Sequence, residues 1–114
     1  MAEKLYAFFV LYVLRQHGEL SGYRIAKIVT EITEGYFSAT PGNIYPVLGS
    51  LEQNGFVQSK KSKAAGTEPG GRRRKILIEI TPAGEAALFD FARRNREWSE
   101  KLTFFFDKVI EGDS

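Results

Sequence analysis

The side chains best suited to chemistry in this sequence follow Thr40-Pro41, a pair that can cap and begin a helix. Apolar residues recur at helical spacing from there to Asn54, and the remaining positions are mainly small or hydrogen-bonding: Gly42, Asn43, Pro46, Gly49, Ser50 and Gln53. Such a face can approach another surface closely, and Asn, Ser and Gln side chains can read base edges in a DNA major groove. An exposed helix whose small residues accommodate a bend at Pro46 explains the same pattern. This face by itself leaves both interpretations open.

A cationic segment lies further along the chain. Residues Lys60–Lys75 include seven basic residues and one acidic residue, so this segment carries +6 and the other 98 residues carry −4. The total of +2 argues against a uniformly basic nucleic-acid coat and for one local cationic element. Lysines and arginines on such a segment would neutralise DNA phosphates, although a solvated loop shows the same composition.

Residues suited to catalysis or metal binding are sparse. His17 is the single histidine and stands at a predicted helix end, where it would cap carbonyl groups. The absence of cysteine excludes disulfides, thiolate zinc sites and thiol nucleophiles. No glycine-rich phosphate-binding loop follows a strand. We therefore expect no enzymatic activity, no cofactor and no metal.

Four helices and one hairpin must position these residues. Hydrophobic periodicity and capping signals predict helices at 3–16, 22–34, 41–54 and 82–110, and strands at 56–59 and 74–80. The fold class is mainly α with a small β-hairpin (α+β), in the order α-α-α-β-β-α with a long last helix. The longest apolar run, 5–14, is half of what a membrane span needs, so we expect a cytoplasmic protein.

The order of these elements favours a DNA-binding interpretation. The second and third helices, joined by residues 35–39, form a helix-turn-helix candidate, and the hairpin with its cationic loop follows directly. The third helix would read bases, and the loop would hold phosphates.

Four segments in this order carry a family resemblance: GELSGYRI at 18–25, TPGNIYPVL at 40–48, LEQNGFV at 51–57, and GGRRRK at 70–75 with ITPAG at 80–84. The sequence resembles the PadR family of winged-helix transcriptional regulators over about residues 5–90. The resemblance implies that the third helix is the recognition helix and that the hairpin is a wing gripping the flanking backbone. The family often has a Tyr-Tyr pair in the second wing strand, where this sequence has Leu77 and Ile78.

The resemblance also places Tyr23 and Tyr45 at or near the DNA surface, whereas core packing is the other interpretation of these tyrosines. The residues that we expect to bind DNA are Ser21, Tyr23, Thr40, Asn43, Tyr45, Ser50, Gln53, Lys63, Arg72, Arg73, Arg74 and Lys75.

The last helix predicts a dimer. Its apolar residues follow 3,4 spacing with Asn95 as the one polar member, and the first helix is apolar nearly all round, so both helices need further covering. PadR-like proteins similarly dimerise through the last helix and the partner's first helix. The expected interface is Leu5, Phe8, Phe9, Tyr12, Leu88, Phe91, Asn95, Trp98, Leu102, Phe105 and Val109. We expect residues 1–80 to form the winged helix-turn-helix and residues 81–114 the dimerisation helix, as one structural unit.

These features predict a homodimeric repressor that binds double-stranded DNA at a pseudo-palindromic operator, without membrane or metal. The family implies a candidate effector pocket at Phe91 and Trp98 for a small planar aromatic ligand. Two alternatives stay open: a winged-helix module that binds an acidic protein partner, and a small aromatic-ligand-binding protein without DNA function.

Overall fold

The computed structural model describes residues 2–61 and 76–112, which form four helices and a three-stranded antiparallel sheet. The elements are α1 (Ala2–His17), β1 (Leu20–Ser21), α2 (Gly22–Ile32), α3 (Pro41–Gln53), β2 (Val57–Lys61), β3 (Ile76–Ile80) and α4 (Pro82–Ile110). The predicted fold class and the predicted hairpin are confirmed. Within the described ranges, no helix has the length and hydropathy that a membrane crossing requires.

The helices begin and end where local chemistry dictates. Ser21 caps α2 by accepting a hydrogen bond from the Arg24 amide at 3.2 Å. α2 ends at Ile32, two residues before the predicted end, because Glu34 and Gly35 both adopt positive φ. The Gly35 amide then donates to the Thr30 carbonyl at 2.9 Å, which closes the helix end.

The sheet contains a strand that the sequence did not predict. Its order is β1-β3-β2, with Val57 opposite Ile80 and Lys61 opposite Ile76 in the hairpin. β1 has only two residues, and it pairs Leu20 with Ile78 across the free edge of β3. Two residues are too few to show a period-2 pattern, so this strand is detectable only through its long-range partner.

The core lies where α1, α2 and α3 meet. The predicted stripe of α3 is entirely buried, at Ile44, Val47, Leu48 and Leu51. The α2 stripe is buried except for its last residue, Ile32, which is exposed where the helix ends. Val10, Val13 and Leu14 of α1 complete this core, which holds α3 with its opposite face toward solvent.

The start of α4 contacts the residues that directly follow α3. The Thr81 amide donates to the Phe56 carbonyl at 3.0 Å, and the Thr81 hydroxyl donates to the Gly55 carbonyl at 2.6 Å. Gly84 lies directly over the same Phe56 carbonyl, so a Cβ there would be 2.1 Å from the carbonyl oxygen. The close approach requires glycine at this position.

The second half of α4 extends away from the core. Leu88 is buried and Phe91 is half-buried, but every residue from Arg96 to Gly112 is exposed. The helix has 29 residues, a length of about 43 Å, and the described residues span 64 Å along their longest axis.

Candidate nucleic-acid interface

The outer face of α3 is fully exposed and nearly free of charge. Gly42, Pro46, Gly49 and Gln53 lie along its centre, with Ser50 beside them, and all of them are exposed. α3 continues through Pro46 without interruption. This surface is therefore smooth and accessible, as close approach to a groove of DNA requires.

Tyr23 and Tyr45 lie at the surface rather than in the core. Their exposed fractions are 71% and 55%, and neither belongs to the buried cluster. The Tyr45 ring covers Gly22, where a Cβ would be 3.1 Å from the Tyr45 Cε1 atom. Gly22 thus allows the start of α2 to lie against α3, and among the residues that the structure describes neither tyrosine hydroxyl has a hydrogen-bond partner.

A groove of about 730 Å³ connects these tyrosines to the sheet. It is lined by residues of α2, α3 and the hairpin, including Tyr23, Arg24, Tyr45, Glu52 and Ile76. Arg24 and Glu52 were not among the residues predicted to bind DNA, because isolated charges on helices have no distinctive sequence pattern. Arg24 adds a cation to this edge of the surface.

Asn43 makes its hydrogen bonds within the protein. Its Oδ1 accepts from the Thr40 amide at 2.7 Å and from the Tyr6 hydroxyl at 3.0 Å, and its Nδ2 donates to the Ser38 carbonyl at 3.1 Å. This geometry gives Asn43 the role of a cap for the α3 N-terminus. Bidentate base reading by Asn43 would require Oδ1 to give up one of these two donors, whereas the second Nδ2 hydrogen can still be donated.

The other predicted α3 residues keep their side chains free. Over 2–61 and 76–112, the hydroxyls of Tyr45 and Ser50 and the amide of Gln53 have no hydrogen-bond partner. Thr40 is exposed at the N-cap of α3. Ser21 accepts the Arg24 amide, and its hydroxyl hydrogen can still be donated.

The start of the cationic segment is partly neutralised. The Lys60 ammonium lies 2.6 Å from a Glu19 carboxylate oxygen and 3.7 Å from Glu79. The hydrogen bond and charge of Glu19, with the charge of Glu79, raise the pKa of Lys60. Lys60 is therefore less available to phosphates than its sequence context indicated. The predicted wing contacts, which are Lys63, Arg72, Arg73, Arg74 and Lys75, lie outside the described residues.

Predicted interface residues fall into two groups. Leu5, Phe8 and Phe9 of α1 are half-buried, and Phe8 stacks on Phe91 of α4 with ring centroids 5.3 Å apart. The predicted seam of α4 consists of its 3,4-spaced interface residues: Leu88, Phe91, Asn95, Trp98, Leu102, Phe105 and Val109. Its last four members, from Trp98 to Val109, are exposed within a single chain. Tyr12 is also exposed.

Besides Phe91, two further members of the predicted seam contact their own chain. Leu88 has an exposed fraction of 6% and belongs to the core, so it is not accessible to a second subunit. Asn95 is half-buried, and its Nδ2 donates to the Phe91 carbonyl of the same helix at 2.8 Å.

The two residues of the candidate effector pocket lie apart. Phe91 lines a cavity of about 130 Å³ between α1 and α4, together with Phe8, Leu11 and Leu88. Trp98 is two turns further along α4 and is exposed. A single subunit therefore does not form a cavity from both side chains.

In the described part of the chain, no group of three or more His, Asp or Glu residues could hold a metal ion.

Comparison with known proteins identifies the family. The model of the transcriptional regulator PadR-like family matches residues 10–90. The chain belongs to the PadR-like family of transcriptional regulators. The matched residues include α2, α3 and the hairpin, which form the surface described above, and the first turns of α4.

Similarity to individual PadR proteins supports this assignment. The chain is 31% identical to the negative transcriptional regulator PadR of Bacillus subtilis over 93 residues, which are 82% of this chain and 48% of that protein. It thus spans about half the length of this curated relative. Crystallised Bacillus subtilis PadR in complex with operator DNA is 30% identical with a TM-score of 0.62, over 75% of this chain and 44% of that one. A PadR family regulator of Clostridium difficile shares the fold at 22% identity and a TM-score of 0.74, over 89% and 97% of the two chains.

Proposed function

We propose that this PadR-like regulator is a homodimeric repressor that places α3 in the major groove of operator DNA. The observation that carries the proposal is the exposed, nearly uncharged outer face of α3, on which the polar groups of Tyr45, Ser50 and Gln53 have no partner within the described structure. The crystallised Bacillus subtilis PadR binds operator DNA, and its curated counterpart is a negative regulator, which supports the same role here.

Each part of the surface has a distinct task in this proposal. Gln53 and Ser50 read base edges from the centre of α3, because amide and hydroxyl groups can donate and accept there. Tyr23, Tyr45, Ser21 and Thr40 contact sugar and phosphate groups at the groove edges, and these contacts fix register rather than sequence. Arg24 adds a phosphate contact beside the groove.

Gln53 is expected to determine sequence preference. Replacing Gln53 with alanine should weaken binding to the selected operator by about 1–3 kcal/mol while leaving binding to random duplex unchanged, because a base contact forms only with the selected sequence. Selection of bound duplexes from a random library, followed by titration of both proteins, measures this difference. Gln58→Ala is the matched control, since the Gln58 amide on β2 already donates to Glu79. Selection of no preferred duplex by the unchanged protein would contradict the proposed function.

The wing is expected to supply the salt dependence of binding. Because each neutralised phosphate contributes about 0.9 to the slope of log affinity against log salt, exchanging Arg72, Arg73 and Arg74 for alanine should reduce that slope by about 2.7 for each wing, or about 5.4 for a dimer with two wings. Fluorescence anisotropy at several salt concentrations gives the slope. Lys60→Ala serves as control, since Glu19 and Glu79 already pair with Lys60. A slope that the triple variant leaves unchanged removes the wing from the interface.

Dimerisation would place two recognition helices about 34 Å apart on successive major grooves. Residues 1–80 supply the reading surface, and residues 81–114 supply the dimerisation helix in this proposal. The exposed seam of α4 supports the dimer, because four of its large apolar side chains otherwise remain in water.

A planar aromatic effector would bind between the subunits near Phe91 and Trp98 and change the separation of the two recognition helices. The single tryptophan makes quenching of Trp98 fluorescence a direct test of such binding.

A further inference from the structure

A hydrogen bond joins α1 directly to the first turn of α3. Tyr6 has an exposed fraction of 7%, and its hydroxyl donates to Oδ1 of Asn43, 37 residues away, at 3.0 Å. The same oxygen accepts the Thr40 amide, and the Asn43 Nδ2 holds the Ser38 carbonyl. One side chain therefore connects α1, the α2–α3 connection and the N-terminus of α3.

Tyr6 is poorly explained by packing alone. Phenylalanine would fill nearly the same space, and burying a hydroxyl costs free energy unless a hydrogen bond compensates it. Burial raises the pKa of Tyr6. The phenol is protonated near neutral pH, as any tyrosine with an ordinary or raised pKa is, so its hydroxyl can donate to Asn43 there.

A series of aromatic ring contacts connects Tyr6 to α4. The Tyr6 ring packs edge-on against the Phe37 ring with centroids 6.0 Å apart, and the Phe37 and Phe9 ring centroids are 5.3 Å apart. Phe9 contacts Phe8 at 5.3 Å, and Phe8 stacks on Phe91 at the same distance. The surface assigned to the dimer interface is therefore in continuous contact with the cap of α3.

We infer that Tyr6 is a positioning residue, whose hydroxyl holds the Asn43 cap and sets the orientation of the α3 N-terminus relative to α1. The inference rests on the proposed function, because orientation of α3 affects DNA affinity only if α3 reads DNA. Loss of the hydroxyl leaves Asn43 bonded to Thr40 and Ser38, so the helix still forms. What is lost is the lateral connection to α1.

Tyr6→Phe tests this connection without removing the ring. The Thr40 amide, which donates to Asn43, should exchange its hydrogen about three- to tenfold faster, as expected for losing one neutral hydrogen bond. Affinity for the selected operator should fall by a similar factor, while the salt slope stays constant. Gln16→Ala is the control, since it removes from the same helix a side-chain hydrogen bond that does not reach α3, the one that Gln16 Nε2 donates to the Tyr12 hydroxyl. Exchange at the Val29 amide in α2 serves as an internal reference.

The outcomes separate the two claims. Unchanged exchange at Thr40 in Tyr6→Phe overturns the inference, whatever the protein binds. Faster exchange with full operator affinity also overturns it, because α3 would then need no positioning by Tyr6. Failure of the unchanged protein to select any duplex instead overturns the proposed function. A double-mutant cycle with Asn43→Ala should be non-additive if the two side chains act together, and additivity contradicts the inference.

Discussion

Gly84→Ala is expected to destabilise the protein by about 3 kcal/mol, a large part of the roughly 5–15 kcal/mol that keeps a domain folded. The added Cβ would be 2.1 Å from the Phe56 carbonyl oxygen and 2.8 Å from Cγ1 of Ile80. Because the first contact is with backbone rather than with the end of a flexible side chain, α4 would have to move by about 1 Å, an overpacking strain that costs up to several kcal/mol. The Thr81 hydrogen bonds to the same turn would be strained too.

Thermal unfolding measures this effect. A loss of this size should lower the melting temperature by roughly 10–15 °C for a chain of this length. Gly49→Ala is the control, because a Cβ at Gly49 meets no atom within 4 Å and alanine favours a helix interior by up to about 1 kcal/mol. Equal melting temperatures for the two variants would show that α4 does not sit on Phe56 as described.

Leu102→Glu is expected to convert the dimer to monomers. Leu102 is exposed within one subunit, so the carboxylate costs little in the monomer fold. In the proposed dimer the same carboxylate would be buried without a partner, at a cost of about 3–5 kcal/mol, or more than a hundredfold in the dissociation constant. Operator affinity should fall with it, because each half-site would then be bound separately.

Size-exclusion chromatography with light scattering at micromolar concentration shows the oligomeric state. Ala86→Glu is the matched control, since it adds the same charge to an exposed position on a different face of α4. A Leu102→Glu protein that remains dimeric would place the interface elsewhere. An unchanged protein that is monomeric would remove the geometric basis for binding a palindrome.

Local signals in the sequence were sufficient for most of the fold. The caps Ser21, Thr40 and Thr81 each precede a helix as predicted, because capping depends on residues only three positions apart. The buried stripe of α3 was likewise readable from its spacing. The end of α2 was not, because it depends on the positive φ of Glu34 as well as Gly35, and glutamate does not signal that conformation.

The candidate site was less predictable than the fold. Periodicity identified the outer face of α3 but could not distinguish Gln53, whose amide is free, from Asn43, whose amide is bonded to Tyr6. Heptad spacing placed Leu88 and Leu102 in one seam, whereas the structure buries the first and exposes the second. Spacing along a helix specifies a face, but what covers that face depends on elements far away in the chain.

The sequence by itself determined the order of elements, the apolar face of each core helix and the family, since these depend on residues close together along the chain. It also showed where the cationic segment lies. Only the tertiary structure decided which polar side chains face outward, that Tyr6 supports the cap of α3, and that Gly84 permits α4 to rest on the Phe56 carbonyl. These contacts join residues 28 to 37 positions apart, and no local pattern encodes a distance of 3 Å between such residues.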